Sequence, residues 1–131
     1  MTETTASERF VVDSSGWIEY LADGPKAQLF AIYLESPEFV FLPTIIVYEV
    51  YKKLLNAQRT QVASWFLSQS FGFQERVIPI DIAVAEFAAR ISAESKLAMA
   101  DAFIYAAARL NRAKLITSYH HFANLDDVTI F

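Results

Sequence analysis

A chain of 131 residues and 14.8 kDa has room for one domain, and 54% hydrophobic content with a mean hydropathy of +0.26 excludes a disordered segment. The absence of cysteine excludes a disulfide scaffold, a Cys-based zinc site and a thiol nucleophile. Eleven Lys+Arg against fifteen Asp+Glu give a net charge of −4, so any grip on nucleic acid must come from a local patch or a metal rather than the overall field.

In chain order, the polar segment 1–7 (MTETTAS) is expected to fray. A first strand is predicted at Arg9–Asp13, followed by helices at Ser14–Ala22 and Pro25–Leu34. A second strand, Phe39–Leu42, leads into a helix from Pro43 to about Gln58 with a core stripe of Val47, Val50, Tyr51 and Leu54. Thr60–Ser70 reads as a shorter helix and Val77–Ile80 as a third strand. Asp81 reads as the N-cap of a helix over Ile82–Glu94. Leu97–Asn111 is apolar nearly all round, which predicts a helix buried on more than one side. Strands at Lys114–Thr117 and Val128–Phe131 close the chain. Short apolar strands alternating with helices predict an α/β fold: a three-layer α/β/α sandwich around a mostly parallel five-stranded sheet, spanning 1–131 as one domain. No apolar run reaches the roughly 18 residues of a membrane span, and no signal peptide is evident, so a cytoplasmic, membrane-free protein is expected.

Ligands of open α/β sheets collect at the carboxyl ends of the strands. Asp13 ends the first strand before Ser14, Ser15 and Gly16, either as a simple helix cap or as a ligand. Asp101 is the sole charge in LAMADAFIYAAA, where an ionised carboxylate is costly unless a cation or hydrogen bonds meet it. Three of its helical neighbours are alanines (Ala98, Ala102, Ala108), leaving room for a ligand, although a structural pairing also fits. Glu49 has Lys52 and Lys53 within one turn, the pattern of a solvated pair, yet Ile45 and Ile46 make its face partly apolar. The adjacent His120 and His121 point to different faces and do not read as a shared metal site. GxGxxG, GxxxxGK[ST] and GxSxG are all missing, and neither the lysine nor the phosphate loop of a receiver-type protein follows a strand. Carboxylates from three separate elements remain. An oxygen-only set suits Mg²⁺ or Mn²⁺, whose usual work is on phosphate esters.

In this order, these residues resemble the PIN-domain ribonucleases, and within them the VapC-type toxins of toxin–antitoxin pairs. FVVDSSGWIEYL is similar to the opening strand with its first acid, here Asp13, and a hydroxyl two residues later, here Ser15. LPTIIVYEVYKKL resembles the helix of the second acid (Glu49), and LAMADAFIYAAARL that of the third (Asp101). KLITSYHHFANLDDVTIF is similar to the closing strand, loop and terminal strand. The resemblance spans nearly the whole chain and implies a metal-dependent endoribonuclease cutting tRNA or mRNA. Asp13, Glu49 and Asp101 would hold Mg²⁺ or Mn²⁺, with Ser15 and Thr117 orienting those ligands. The family's closing motif would set an aspartate where this chain has Tyr119. The site then works with three acids, or Asp126 or Asp127 approaches it, or the chain is an impaired module that binds antitoxin or RNA without cutting. A phenol does not replace a carboxylate on Mg²⁺.

No residue reads as a dedicated general base, which leaves activation of the attacking water to the metal. Lys52, Lys53, Lys96, Arg109, Arg112 and Lys114 are candidate contacts to an RNA backbone. Trp17, Tyr20, Phe30 and Tyr33 are more aromatic surface than a small core requires, which predicts a homodimer interface and a seat for an apolar antitoxin helix.

Overall fold

The computed structural model describes residues 8–131, so the segment expected to fray, 1–7, lies outside the described residues. Five strands are β1 (Arg9–Val12), β2 (Val40–Pro43), β3 (Val77–Ile78), β4 (Ala113–Thr117) and β5 (Val128–Ile130). Six helices flank them: α1 (Ser14–Leu21), α2 (Ala27–Leu34), α3 (Thr44–Asn56), α4 (Thr60–Phe71), α5 (Ile82–Ser95) and α6 (Met99–Leu110). No described helix is long and apolar enough to cross a membrane.

The sheet order is β3-β2-β1-β4-β5, and every pairing is parallel, so the expected α/β sandwich is present and its sheet is wholly rather than mostly parallel. The chain starts at the centre, winds outward through β2 and β3, then returns to lay β4 on the other side of β1. That reversal opens a crevice at the carboxyl ends of β1 and β4.

Element ends differ from the expected ones for local reasons. Val77–Ile80 shrinks to two residues because Pro79 has no N–H to donate to a ladder. Phe39 leaves β2 for a single turn of 3₁₀ helix, Pro37–Phe39, with Pro37 at its start. The third helix ends at Asn56, and Gln58 takes a left-handed φ of 60°. Asp81 caps α5 as expected, accepting from Val84 N at 2.9 Å.

Of the aromatic surface expected near the N-terminus, Trp17 and Phe30 are buried in the core, and Tyr20 and Tyr33 are half-buried against it. Trp17 packs edge-on against Phe66 at 5.1 Å, Phe30 against Phe131 at 5.3 Å, and Tyr33 against Phe10 at 4.9 Å. Tyr20 donates to Glu35 Oε2 at 2.8 Å. These side chains anchor α1 and α2 to the sheet and to α4; the strongly exposed apolar residues are others, such as Ile32, Phe71 and Ile82. Gly16 sits where α1 presses on α2: a Cβ there would lie 2.5 Å from Phe30 Cδ1 and 2.7 Å from Val12 Cγ1. The missing side chain lets the start of α1 lie close against the core directly after Asp13.

Candidate active site

Asp13 follows the last residue of β1, but its N–H still donates to Ile116 O of β4 at 2.9 Å. The backbone is therefore clamped at the crevice, and the side chain is fully buried there. It does not cap α1. One carboxylate oxygen, Oδ2, accepts from Thr117 Oγ1 at 2.8 Å and from Ser15 Oγ at 3.1 Å. Each of those hydroxyls in turn accepts from a backbone amide: Ser15 Oγ from Ser118 N at 3.1 Å, and Thr117 Oγ1 from Tyr119 N at 3.0 Å. The two hydroxyls also lie 3.2 Å apart, so Asp13 Oδ2, Ser15 and Thr117 form one buried hydrogen-bonded triangle. The other oxygen, Oδ1, is buried without a partner. An unpaired buried acceptor of this kind costs about 1–3 kcal/mol.

Glu49 lies on the second turn of α3, just past the end of β2, and its Oε1 is also buried and unpaired. It forms no ion pair among the described residues, so the solvated Glu49–Lys53 pairing is not adopted. Asp101 stands in the first turn of α6, where the helix N-terminus faces an anion, with its side chain 16% exposed. Its partner is His121, whose Nε2 is 3.3 Å from Asp101 Oδ2. The sequence gives no sign of this pairing: His121 sits in a one-turn 3₁₀ helix, His120–Phe122, that has no periodicity to read.

All three carboxyls are pushed above the ordinary carboxylate range, each chiefly by burial. For Asp13 the Thr117, Ser14 and Ser15 hydrogen bonds oppose the rise and the Asp101 charge adds to it. For Glu49 the Ser14 hydroxyl opposes it, and the Asp13 and Asp101 charges add to it. Asp101 is drawn back by the His121 charge. Burial also raises the Tyr119 phenol, and the charges of Asp13, Glu49 and Asp101 all raise it further.

Of the three acids, Glu49 lines a cleft of about 630 Å³, together with Ser14, Tyr48, Lys52, Lys53 and Tyr119 among others. Other expected contacts lie elsewhere. Asp127 pairs with Arg109, and its carbonyl accepts from Leu115 N at 2.9 Å, while the Asp126 carbonyl accepts from Tyr105 OH at 2.8 Å. Both acids precede β5, which runs parallel to β4, so the chain has already returned to the amino ends of the strands. Neither approaches the site. Arg109, Arg112 and Lys114 precede or open β4 and line a separate recess of about 300 Å³ with Glu8, Arg9 and Asp127 at the same distant end.

Among the described residues no group of three His, Asp or Glu side chains forms a ready-made metal cage. The residues nonetheless fit a divalent cation. Mg²⁺ is commonly held by one or two carboxylates, with waters and substrate phosphate completing the shell. Two buried carboxylate oxygens without donors, on Asp13 and Glu49, are suited to such a partial set.

A wholly parallel α/β sandwich with acids gathered at its topological switch point defines the class. The PIN domain pattern matches residues 10–128, and the chain belongs to the PIN-domain family. It is similar to a toxin–antitoxin complex from Klebsiella pneumoniae, with 26% identity over 94% of this chain and 96% of that one and a TM-score of 0.73. It is also similar to FitAcB from Neisseria gonorrhoeae, with 28% identity over 93% of this chain and 96% of that one and a TM-score of 0.73. DNA-bound VapBC from Salmonella typhimurium, 17% identical over 95% of this chain and 98% of that one, shares the fold at a TM-score of 0.68. No curated protein sequence matches the chain. PIN domains are nucleases and generally depend on a divalent metal, so a hydrolase acting on nucleic acid is the enzyme class that family and fold support.

Proposed function

We propose that this chain is the toxin of a type II toxin–antitoxin pair, an endoribonuclease that cuts tRNA or mRNA in the cytoplasm with Mg²⁺ or Mn²⁺. The observation that carries the reading is the pair of unpaired buried carboxylate oxygens, Asp13 Oδ1 and Glu49 Oε1. Asp13, Glu49 and Asp101 would hold the cation, directly or through water. When bound, the ion would neutralise charge on the phosphodiester and make a water more acidic.

The chain's own residues do the rest. Ser15 and Thr117 fix the Asp13 carboxylate in one orientation through Oδ2, leaving Oδ1 without a hydrogen bond. Burial excludes competing water from that oxygen. Lys52 and Lys53 on the cleft wall attract the phosphate backbone that the acids alone would repel. A cognate antitoxin and a second copy of the chain are the expected partners. The toxin–antitoxin complexes among similar structures support the first, and the exposed apolar residues give a surface for either.

The test is Mg²⁺-dependent cleavage of purified tRNA and mRNA by the wild-type protein and by Asp13→Ala. Cleavage by the wild type alone is expected. Equal cleavage by both proteins, or none by either, rejects the enzyme. In the second case the reading that remains is an antitoxin- or RNA-binding module, which Tyr119 in place of an acid favours.

A further inference from the structure

Tyr119 lines the same cleft as Glu49, and its phenol is unsuited to be a metal ligand. Its placement is nevertheless firmly built. The backbone N–H is tied to Thr117 Oγ1 at 3.0 Å, one residue pair away from the Asp13 carboxylate. The ring is backed by His121, with centroids 4.9 Å apart. Half-buried, it forms one side of the cleft whose other lining includes Tyr48, Glu49, Lys52 and Lys53. The Tyr48 hydroxyl accepts from Lys52 Nζ at 3.3 Å, which ties that ammonium to the cleft lining. At about 630 Å³ the cleft has the volume of a small-ligand site and can take one nucleotide. A braced aromatic face beside lysines is how proteins hold an unpaired base next to its phosphate.

We propose that Tyr119 is the substrate-positioning residue of this site: its ring stacks on an unpaired base and so places the adjoining phosphodiester against Asp13 and Glu49, with Lys52 and Lys53 on the backbone. This rests on the nuclease reading for the identity of the substrate. The base must be unpaired, because in a duplex both of its faces are already stacked. The phenol hydroxyl is not required; the aromatic face is.

The experiment compares wild type with Tyr119→Phe, Tyr119→Trp, Tyr119→Leu and Tyr119→Ala on a short single-stranded RNA carrying one 2-aminopurine. Leu keeps apolar bulk against His121, so it separates loss of stacking from loss of packing. Wild type, Phe and Trp are expected to quench 2-aminopurine on binding and to share one KM. Leu and Ala are expected to lose the quench and raise KM about tenfold or more, with kcat changed far less. Their response to Mg²⁺ in thermal melts stays that of the wild type. Unchanged KM and quenching in Leu and Ala overturn the proposal while leaving the nuclease intact. Equal binding of a blunt RNA duplex, independent of residue 119, overturns it as well. Aromatic-dependent quenching without cleavage by any variant supports the stacking role and rejects the nuclease.

Discussion

The two ends of the parallel sheet carry charge in opposite ways. At the amino ends, Arg9, Arg109, Arg112 and Lys114 mingle with Glu8 and Asp127 around an open recess, and the opposite signs meet in water. At the carboxyl ends, Asp13, Glu49 and Asp101 share one sign, lie partly or wholly buried, and leave two oxygens without a donor. The first arrangement finds opposite charge within its own recess; the second leaves oxygens that nothing else in the described chain satisfies. Topology explains which residues go where. Residues that follow a strand, such as Asp13 after β1 and Tyr119 after β4, reach the carboxyl ends, as does the start of a helix running back antiparallel to the strands, such as Asp101 in α6. Residues that precede a strand, such as Arg112 or Asp127, cannot.

The sharpest way to break this contrast is to remove the acid at its centre. Asp13→Ala deletes the unpaired Oδ1 and strands the two hydroxyls hydrogen-bonded to Oδ2. RNA cleavage is expected to fall to background, and calorimetry is expected to show Mg²⁺ binding lost. Retained Mg²⁺ binding would move the metal to Glu49 and Asp101 alone.

Next in size is the hydroxyl relay. Thr117→Val keeps shape but takes away a donor to Asp13 at 2.8 Å and an acceptor for the Tyr119 N–H at 3.0 Å. Metal affinity or turnover is expected to drop by about 10–100-fold. Thr117→Ser should recover most of it. A Ser variant as weak as Val would show that the threonine methyl, not the hydroxyl, matters in this fully buried position.

Smaller, and readable without any substrate, is the dependence of stability on pH and metal. All three acids bind their protons more tightly in the folded chain than in the unfolded one. The stability this contributes is fully present below the ordinary carboxylate range, near about pH 4, and is lost as pH rises through the raised values. In EDTA, the melting temperature of wild type relative to Asp101→Asn should therefore decline with rising pH. Near neutral pH the Asn variant should melt higher by on the order of 3 °C. Saturating Mg²⁺ adds stability by mass action, about 2.7 kcal/mol at a hundred times Kd, and should add less to the variant. If Asp101→Asn instead destabilises the metal-free protein and gains as much from Mg²⁺, Asp101 serves to hold His121 rather than a metal.

Much of the site was visible in residue types, because a lone acid in an alanine-rich helix or after an apolar strand conflicts with burial and calls for a ligand. The expectation that Asp13, Glu49 and Asp101 converge came from the resemblance, since no local period relates residues so far apart in sequence. What the sequence hid was contact between short elements. Trp17 and Phe30 looked superfluous because nothing in α1 or α2 reveals that Phe66 and Phe131 will arrive beside them. His121 was hidden for the same reason, as its meeting with Asp101 depends on a single 3₁₀ turn. The placing of Asp126 and Asp127, by contrast, could have been deduced. Once β5 is parallel to β4, the residues before it must lie at the amino ends.

The smallest expected effect lies at those amino ends. Arg109 and Asp127 form an ion pair with side chains 33% and 57% exposed, and Arg109 was a sequence-level candidate for RNA contact. Exposed pairs of this sort are worth about 0.2–1 kcal/mol, because water screens the attraction and two side chains lose freedom in making it. Arg109→Ala also removes a partly buried aliphatic stem, so a stability loss of up to about 1 kcal/mol is expected in urea denaturation. Cleavage and Mg²⁺ response should be unchanged, since parallel topology puts this pair at the far ends of β4 and β5 from Asp13. A charge reversal, Arg109→Glu, sharpens the test by setting two anions against each other without touching the acid site. If either variant weakens RNA cleavage while the melt moves little, the substrate extends across the sheet to its basic end. The division between a charge-paired end and an unsatisfied one would then have to be redrawn as one continuous RNA path.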